Sequence, residues 1–506
     1  MRTVQEDVMA TVEKIPTTQG ATTIRRLQNY IGGQWVDAEA TEWGTVVNPA
    51  TGQALADAPY SGGRDVDRAV QAARAAFPAW SERPPLERAR YLFTVKNIME
   101  AHFEELATIL TDEVGKALPD SRLEVRRGIE MIEVATGIPS LMMGQALENV
   151  SRSIDSVALR QPIGVFCAIA PFNFPSMVPL WFLPFAIACG NTFVLKPSEQ
   201  VPLSQVRLFE LLQEADLPPG VINLVNGSRD AVNALLDHSD IKGVSFVGSA
   251  ATAKYVYSRA AENGKRVQAL GGAKNHMVVM PDAVMKPTLD AIMSSAFGAA
   301  GQRCLAGSVV VAVGDVYESL KKGLIETASA LRVDNGRNEA TDAGPVVSKT
   351  HQGKVRGWIE KGISEGAELI LDGREHPVAT ERTEGCFIGP TIFDGVTPEM
   401  EIAREEISGP VLSIVRATDL DDALEIVNKS RYGNASTIFT SSGKAAREYK
   451  HRVQAGMVGI NIGVVAPMAF FSFTGWKDSF FGDQHAHGRD AINFYTETKT
   501  VVERWF

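Results

Sequence analysis

From Val157 onward the chain repeats one pattern: a short continuous apolar run, then a longer stretch with helical spacing. The apolar runs cover residues 164–170, 191–196, 220–225 and 243–247, and the helical stretches 180–189, 203–215 and 229–236. A strand that is apolar on both faces needs cover on both, and helices between such strands make the sheet parallel. Beyond Gly271-Gly272 the pattern resumes. Strands are expected at 277–280, 308–314, 387–396, 410–416 and 436–440, and helices at 288–299, 316–330, 351–365 and 421–428. The sequence therefore predicts an α/β protein of two doubly wound, Rossmann-like lobes with a boundary near Gly271-Gly272.

Upstream, residues 28–36 and 46–60 alternate around Gly32-Gly33 and Pro49-Ala50-Thr51-Gly52, as hairpins do. Helices are expected at 63–80, from 85 past 102, at 103–111 and at 118–135. Residues 137–160 and 482–506 fit neither lobe; both read as strands, including Asn493-Phe494-Tyr495-Thr496. Two peripheral strands imply an edge covered by a partner subunit. A chain of 506 residues suits two or three domains.

A net charge of −10 argues against non-specific nucleic-acid binding. Residues 1–30 carry no leader of the secretory type, and acidic residues there disfavour a mitochondrial presequence. The most apolar stretch, 164–195, is broken by Pro171, Asn173, Pro175, Pro179, Pro184 and Asn191, so no membrane span is expected. Cys167, Cys189, Cys304 and Cys386 are widely spaced and form no metal-binding motif. Reduced thiols in a cytoplasmic protein are the simplest account, with no metal.

Four places carry candidate chemistry. Cys304 ends the run Gly301-Gln-Arg-Cys304, where Gly301 permits close backbone approach and Arg303 would favour a thiolate. Alone, such a cysteine is more often a buried hydrophobe. Asn173 follows the 164–170 strand, at the sheet edge where α/β proteins place their sites; its amide can donate to an oxyanion, or simply cap a turn. Strand 191–196 delivers Lys196 and Glu199, which can bracket ribose hydroxyls, the carboxylate favouring NAD over NADP. Gly248 and Ser249 open a helix whose free N–H groups can face a pyrophosphate, although no G-x-G-x-x-G fingerprint is present.

Together Pro171-Phe-Asn-Phe-Pro175, Leu195-Lys-Pro-Ser-Glu199, Phe246-Val-Gly-Ser249, Gly301-Gln-Arg-Cys304, Glu405-Glu-Ile-Ser-Gly-Pro410 and Asn493-Phe494 resemble, in order and spacing, the aldehyde dehydrogenase superfamily across residues 25–506. The resemblance implies an NAD-binding domain (1–145 and 161–270), a catalytic domain (271–481) and oligomerisation strands (146–160 and 482–506), assembled as dimers or tetramers. It implies Cys304 as nucleophile and Asn173 as oxyanion donor. Ala170, Phe172, Lys196, Glu199, Gly248, Ser249 and Glu406 are then the cofactor contacts, Glu406 at the nicotinamide ribose.

Two departures stand out. Hydrolytic members carry Glu-Leu-Gly-Gly-Lys upstream of the cysteine, the Glu activating water; here Val267-Gln-Ala-Leu-Gly-Gly-Ala-Lys-Asn-His276 contains no carboxylate. Ser408 stands where the family usually has Phe. Water without a base is a poor nucleophile towards a thioester, whereas a thiol is partly ionised near neutrality. Gly-Ala-Lys-Asn-His and Phe-Gly-Ala-Ala-Gly-Gln-Arg-Cys resemble the CoA-acylating methylmalonate-semialdehyde dehydrogenases. In that group two arginines bind the substrate carboxylate; Arg303 matches one, and Arg127, or its neighbour Arg126, the other. The expected partners are a small carboxylated aldehyde, NAD and coenzyme A. The expected reaction is oxidative decarboxylation of methylmalonate or malonate semialdehyde to propanoyl-CoA or acetyl-CoA. A hydrolytic aldehyde dehydrogenase and a non-catalytic structural paralogue are the alternatives.

Overall fold

The computed structural model describes residues 24–506, so the expectation of a leaderless start lies mostly outside the described residues. The first sheet runs Phe480–Gly482, Arg266–Leu270, Ile241–Val247, Val165–Ile169, Thr192–Lys196, Ile222–Leu224, Asn29–Ile31, Gln34–Val36. Its five central strands are parallel and its edges antiparallel. The chain starts at Val165–Ile169, winds outward on one side and returns to wind outward on the other. The switch point lies between Val165–Ile169 and Ile241–Val247, where ligand crevices open in such sheets. The two loops leaving those strands are Ala170–Pro175 and Gly248–Ser249.

Past Leu270 the chain enters a second sheet. Its order is Glu368–Leu371, Thr391–Asp394, Val411–Ala417, Gly307–Val313, Asn275–Val279, Ala435–Phe439, Met457–Ile460, parallel but for the first strand. Cys304 lies just before Gly307–Val313, at the N-terminal edge of this sheet. The first lobe's apolar core continues to Leu305 and packs against Cys304. Phe480–Gly482 returns to pair with Arg266–Leu270 of the first sheet, so the chain crosses between sheets a second time.

Gln145–Ser151, Ile154–Pro162 and Thr496–Glu503 form a separate antiparallel sheet. The expected strand at Asn493-Phe494-Tyr495 is instead the end of a helix, Gly488–Tyr495. Ala491, Ile492, Phe494 and Tyr495 are all buried, a helical rather than alternating spacing. Phe494 and Tyr495 pack on Phe166, and the Tyr495 hydroxyl meets Ser245 at 3.0 Å.

The helix expected at 180–189 begins earlier, at Met177–Ala188, and keeps both prolines. Pro179 lies in the first turn, where no N–H is needed. Pro184 forfeits one bond, but the helix is buried from Val178 to Ala188 and its packing outweighs that loss. Helix Leu118–Ala135 falls where the periodicity put it. No helix among the described residues is long and apolar enough to cross a membrane.

Candidate active site

Cys304 is held by an unusual backbone. Ala299, Ala300 and Gly301 are consecutive left-handed residues, with φ of 50°, 53° and 70°. That conformation costs about 1–2 kcal/mol for each non-glycine residue. At Gly301 a Cβ would run into the Gly409 carbonyl. The strained turn is held from several sides. Asp120 Oδ2 accepts the Ala299 N–H at 2.9 Å, and Gln302 Oε1 accepts the Val347 N–H at 3.0 Å. The Cys304 carbonyl accepts from both Asn275 Nδ2 and Asn434 Nδ2 at 2.9 Å, while Asn275 also reaches the Ala306 carbonyl at 3.0 Å. Side chains at the ends of two neighbouring strands thus fix the cysteine's main chain.

Burial, with the Glu406 carboxylate second, pushes the Cys304 thiol up to about 12. The backbone N–H groups of Cys304 and Leu305 act the other way, and Arg303 opposes the rise least. Arg303 thus favours the thiolate in direction, as expected, but burial outweighs it. Its guanidinium is engaged by Asp120 Oδ1 at 2.6 Å. Burial raises Cys167 and Cys189 to about 12 as well, so access and not acidity sets Cys304 apart. Cys304 alone of the four is not fully buried. In the ligand-free protein its carbamidomethylation by iodoacetamide is expected to accelerate about tenfold per pH unit from pH 7 to 9. A plateau below pH 8 would contradict this electrostatic picture.

Cys304 opens into a cavity of about 230 Å³ shared with Arg303, Arg127, Asp120, Glu124 and His487, walled by apolar side chains including Trp181 and Phe473. Arg127 lines this cavity, whereas Arg126 turns outward to Glu100 at 2.9 Å and covers the Phe103 ring. Both carboxylates in the wall are committed elsewhere. Asp120 holds Arg303 and Ala299. Glu124 pairs with buried Lys116 and accepts the N–H groups of Ser176 and Met177 at 2.9 and 3.1 Å. Neither is left to deprotonate water.

The same Lys116–Glu124 pair anchors the Ala170–Pro175 loop. The Lys116 ammonium lies 3.7 Å over the Phe174 ring, and Glu124 caps the helix that follows. Phe174 lines the Cys304 cavity and Phe172 a second groove; Asn173 stands half-buried between them, its side chain free of hydrogen bonds among the described residues.

That second groove, about 570 Å³, runs along the switch point and includes Ala170, Phe172, Lys196, Glu199, Gly248 and Ser249. Lys196 Nζ meets Glu199 Oε2 at 3.0 Å. Burial raises the Glu199 pKa, but Lys196 and a backbone N–H outweigh it, leaving a carboxylate held below its usual range. Ser249 caps helix Ala250–Glu262, its Oγ bonded to the Thr252 hydroxyl at 2.9 Å. At Gly248 a Cβ would strike the Phe246 ring, so the loop lies flat against the groove floor. An ionised acceptor for ribose hydroxyls and an open helix N-terminus for phosphates match the two polar parts of a dinucleotide.

Glu406 lies flush against Gly272 and accepts the Ala273 N–H; burial raises it to about 7. Ser408 is left-handed, with φ of 56°, and its carbonyl accepts from His351 Nε2 at 2.7 Å. The His351 ring is 5.8 Å from Phe172. A bulky residue at Ser408 would bear more strain than serine does.

Sequence reading did not single out Asp120, Lys116, Glu124, Asn275, Asn434 or His487. Asp120 and Glu124 share one helix face with Arg127, seven and three residues before it, a signal the spacing did contain. Nothing local in the sequence marks Asn434 or His487; the fold brings them in.

Two α/β lobes with a groove at the switch point suit a dehydrogenase, and the chain belongs to the aldehyde dehydrogenase family, whose model matches residues 35–501. It is 53% identical over 488 residues to malonate-semialdehyde dehydrogenase 1 of Geobacillus kaustophilus, covering 96% of this chain and 99% of that one. The solved methylmalonate-semialdehyde dehydrogenase of Oceanimonas doudoroffii is 46% identical, with a TM-score of 0.93 over 95% of this chain and 99% of that one. An NAD⁺ complex of an aldehyde dehydrogenase from Bacillus cereus is 32% identical, with a TM-score of 0.90 over 95% and 97%.

Proposed function

We infer that this protein is an NAD-dependent, CoA-acylating semialdehyde dehydrogenase that oxidises and decarboxylates methylmalonate or malonate semialdehyde. The observation that carries the reading is the cavity itself: Cys304 shares it with Arg127 and Arg303, and each carboxylate in its wall is already engaged. Guanidinium groups suit a substrate carboxylate.

In this reading Cys304, once deprotonated, adds to the aldehyde carbon. Asn173 and the Cys304 backbone N–H hold the oxyanion. Bound in the groove along Lys196, Glu199, Gly248 and Ser249, NAD supplies a hydride acceptor. Glu406, whose charge acts on Cys304, serves as the nicotinamide-ribose contact. A thioester remains on Cys304 with a carboxylate β to its carbonyl, and carbon dioxide leaves. Arg127 and Arg303 hold that carboxylate until it goes. Coenzyme A then attacks the thioester, giving propanoyl-CoA or acetyl-CoA. We place the NAD-binding domain at 1–145 and 161–270 and the catalytic domain at 271–481. We further propose a cytoplasmic homodimer or homotetramer, supported by four free cysteines and by the apolar Leu147, Leu159 and Val502 exposed on the separate sheet.

Steady-state NADH formation is expected to fall at least about 100-fold when coenzyme A is omitted, because Asp120 and Glu124, the carboxylates of the cavity wall, are engaged and do not activate water. Equal turnover with and without coenzyme A would replace thiolysis by hydrolysis.

A further inference from the structure

The mechanism above leaves one group of the cavity without a task. His487 is 1% exposed, yet it lines the cavity with Arg127 and Cys304. Its ring is fixed. Nδ1 bonds to the Phe471 carbonyl at 2.7 Å, and Trp181 and Phe473 pack at 5.3 and 6.1 Å. Its backbone is left-handed, with φ of 42°, and so is that of Gly488, at 58°, where a Cβ would press on Phe471.

The carbonyl can only accept, so Nδ1 carries the hydrogen and Nε2 of the neutral ring is a lone pair. Among the described residues Nε2 has no hydrogen-bond partner, and with Nδ1 turned to Phe471 the ring lines the cavity by its other edge. Burial, with Arg127 adding to it, holds the imidazole down at about 4; the Phe471 carbonyl opposes this. The charged groups facing the same cavity are Arg127, Asp120 and Glu124 from helix Leu118–Ala135, and Arg303 beside Cys304. Trp181, Phe471 and Phe473, which contact the ring, are uncharged.

Arg127 already pairs with Glu130 at 2.9 Å; a second carboxylate seated on it, in the cavity the His487 ring lines, would attract an imidazolium against the burial that is the larger cause. Resting on the decarboxylating reading above, we propose that His487 takes up a proton when the substrate carboxylate binds and gives it to the α-carbon after that carboxylate has left as carbon dioxide. The carbon–carbon bond breaks with its electron pair remaining on the acyl group as a thioester enolate. A carbon–hydrogen bond then forms with the proton from Nε2, and the imidazole returns to neutral. Loss of the anion restores the repulsion from Arg127, so the acid is strongest just when the enolate needs it. The proton comes from solvent during binding, and no oxidant takes part.

Two measurements test this on the NAD-loaded protein. In calorimetry in buffers of differing ionisation enthalpy, 3-hydroxypropanoate, a carboxylate of matching length without an aldehyde, should bind with net proton uptake at pH 7. His487→Asn should bind it with uptake abolished, and H487Q should behave alike should H487N fail to fold. Turnover of methylmalonate semialdehyde in deuterium oxide should give one enantiomer of the 2-deuterated propanoyl thioester, and both enantiomers in the variant. Binding of the probe by wild type without proton uptake, or unchanged stereochemistry in the variant, would overturn the proposal. Wild type that releases no carbon dioxide would instead overturn the functional reading, which the calorimetric result does not depend on.

Discussion

Cys304→Ala is expected to lower kcat by at least about 10⁴-fold, the scale on which removal of a covalent nucleophile acts. Stability and dinucleotide affinity should be little changed. The nucleophile's position is set by its main chain: Asn275 and Asn434 hold the Cys304 carbonyl, and Asp120 holds Ala299. None of these contacts uses the thiol. The side chain is half-buried against the first lobe's core, so trimming it leaves a small defect at a cavity that is already open. NADH formation over the full aldehyde range, together with a direct titration of NAD binding, separates lost chemistry from lost structure. Residual turnover within about tenfold of wild type would mean that another group carries the acyl chain.

The second large effect concerns Arg127. Arg127→Gln should cut kcat/KM for methylmalonate semialdehyde by about 10²–10³-fold, since truncating one partner of a desolvated charge pair costs roughly 2–5 kcal/mol. Propanal, which lacks the carboxylate, should lose less than about threefold. Arg127 lines the cavity before any substrate arrives, and Glu130 at 2.9 Å and the Met468 sulfur at 3.0 Å hold its guanidinium. Arg303 is a poorer subject for this experiment because Asp120 ties it to the nucleophile turn. Removing it would disturb Ala299 as well as the substrate. Equal losses on both aldehydes would assign Arg127 a structural role.

Much of the fold is legible because its code is local. Strand Val165–Ile169 and its neighbours are apolar on both faces, which only a covered parallel sheet accommodates. Loops at the switch point follow from that topology, so Lys196, Glu199 and Ser249 fall where an α/β crevice forms. The C-terminal Asn493-Phe494-Tyr495 was less legible: aromatic and alternating, it imitates a strand, and only its packing on Phe166 makes it a helix end. Electrostatics was the least legible. Arg303 next to Cys304 in sequence suggests an activated thiol, but the guanidinium faces Asp120, 183 residues away, and burial dominates the thiol. Long-range pairings of this kind, like those of Asn434 and His487, arise from the fold and leave no local signature.

In the proposed reaction Cys304 carries a decarboxylated acyl group destined for a thiol. A direct test mixes the protein with NAD and methylmalonate semialdehyde in the absence of coenzyme A, quenches in acid and measures the mass of the Cys304 peptide. A propanoyl adduct is expected on Cys304 that persists until coenzyme A is added and then vanishes as propanoyl-CoA appears. An unmodified Cys304, or an adduct that drains to free acid as fast without coenzyme A as with it, would contradict that reaction.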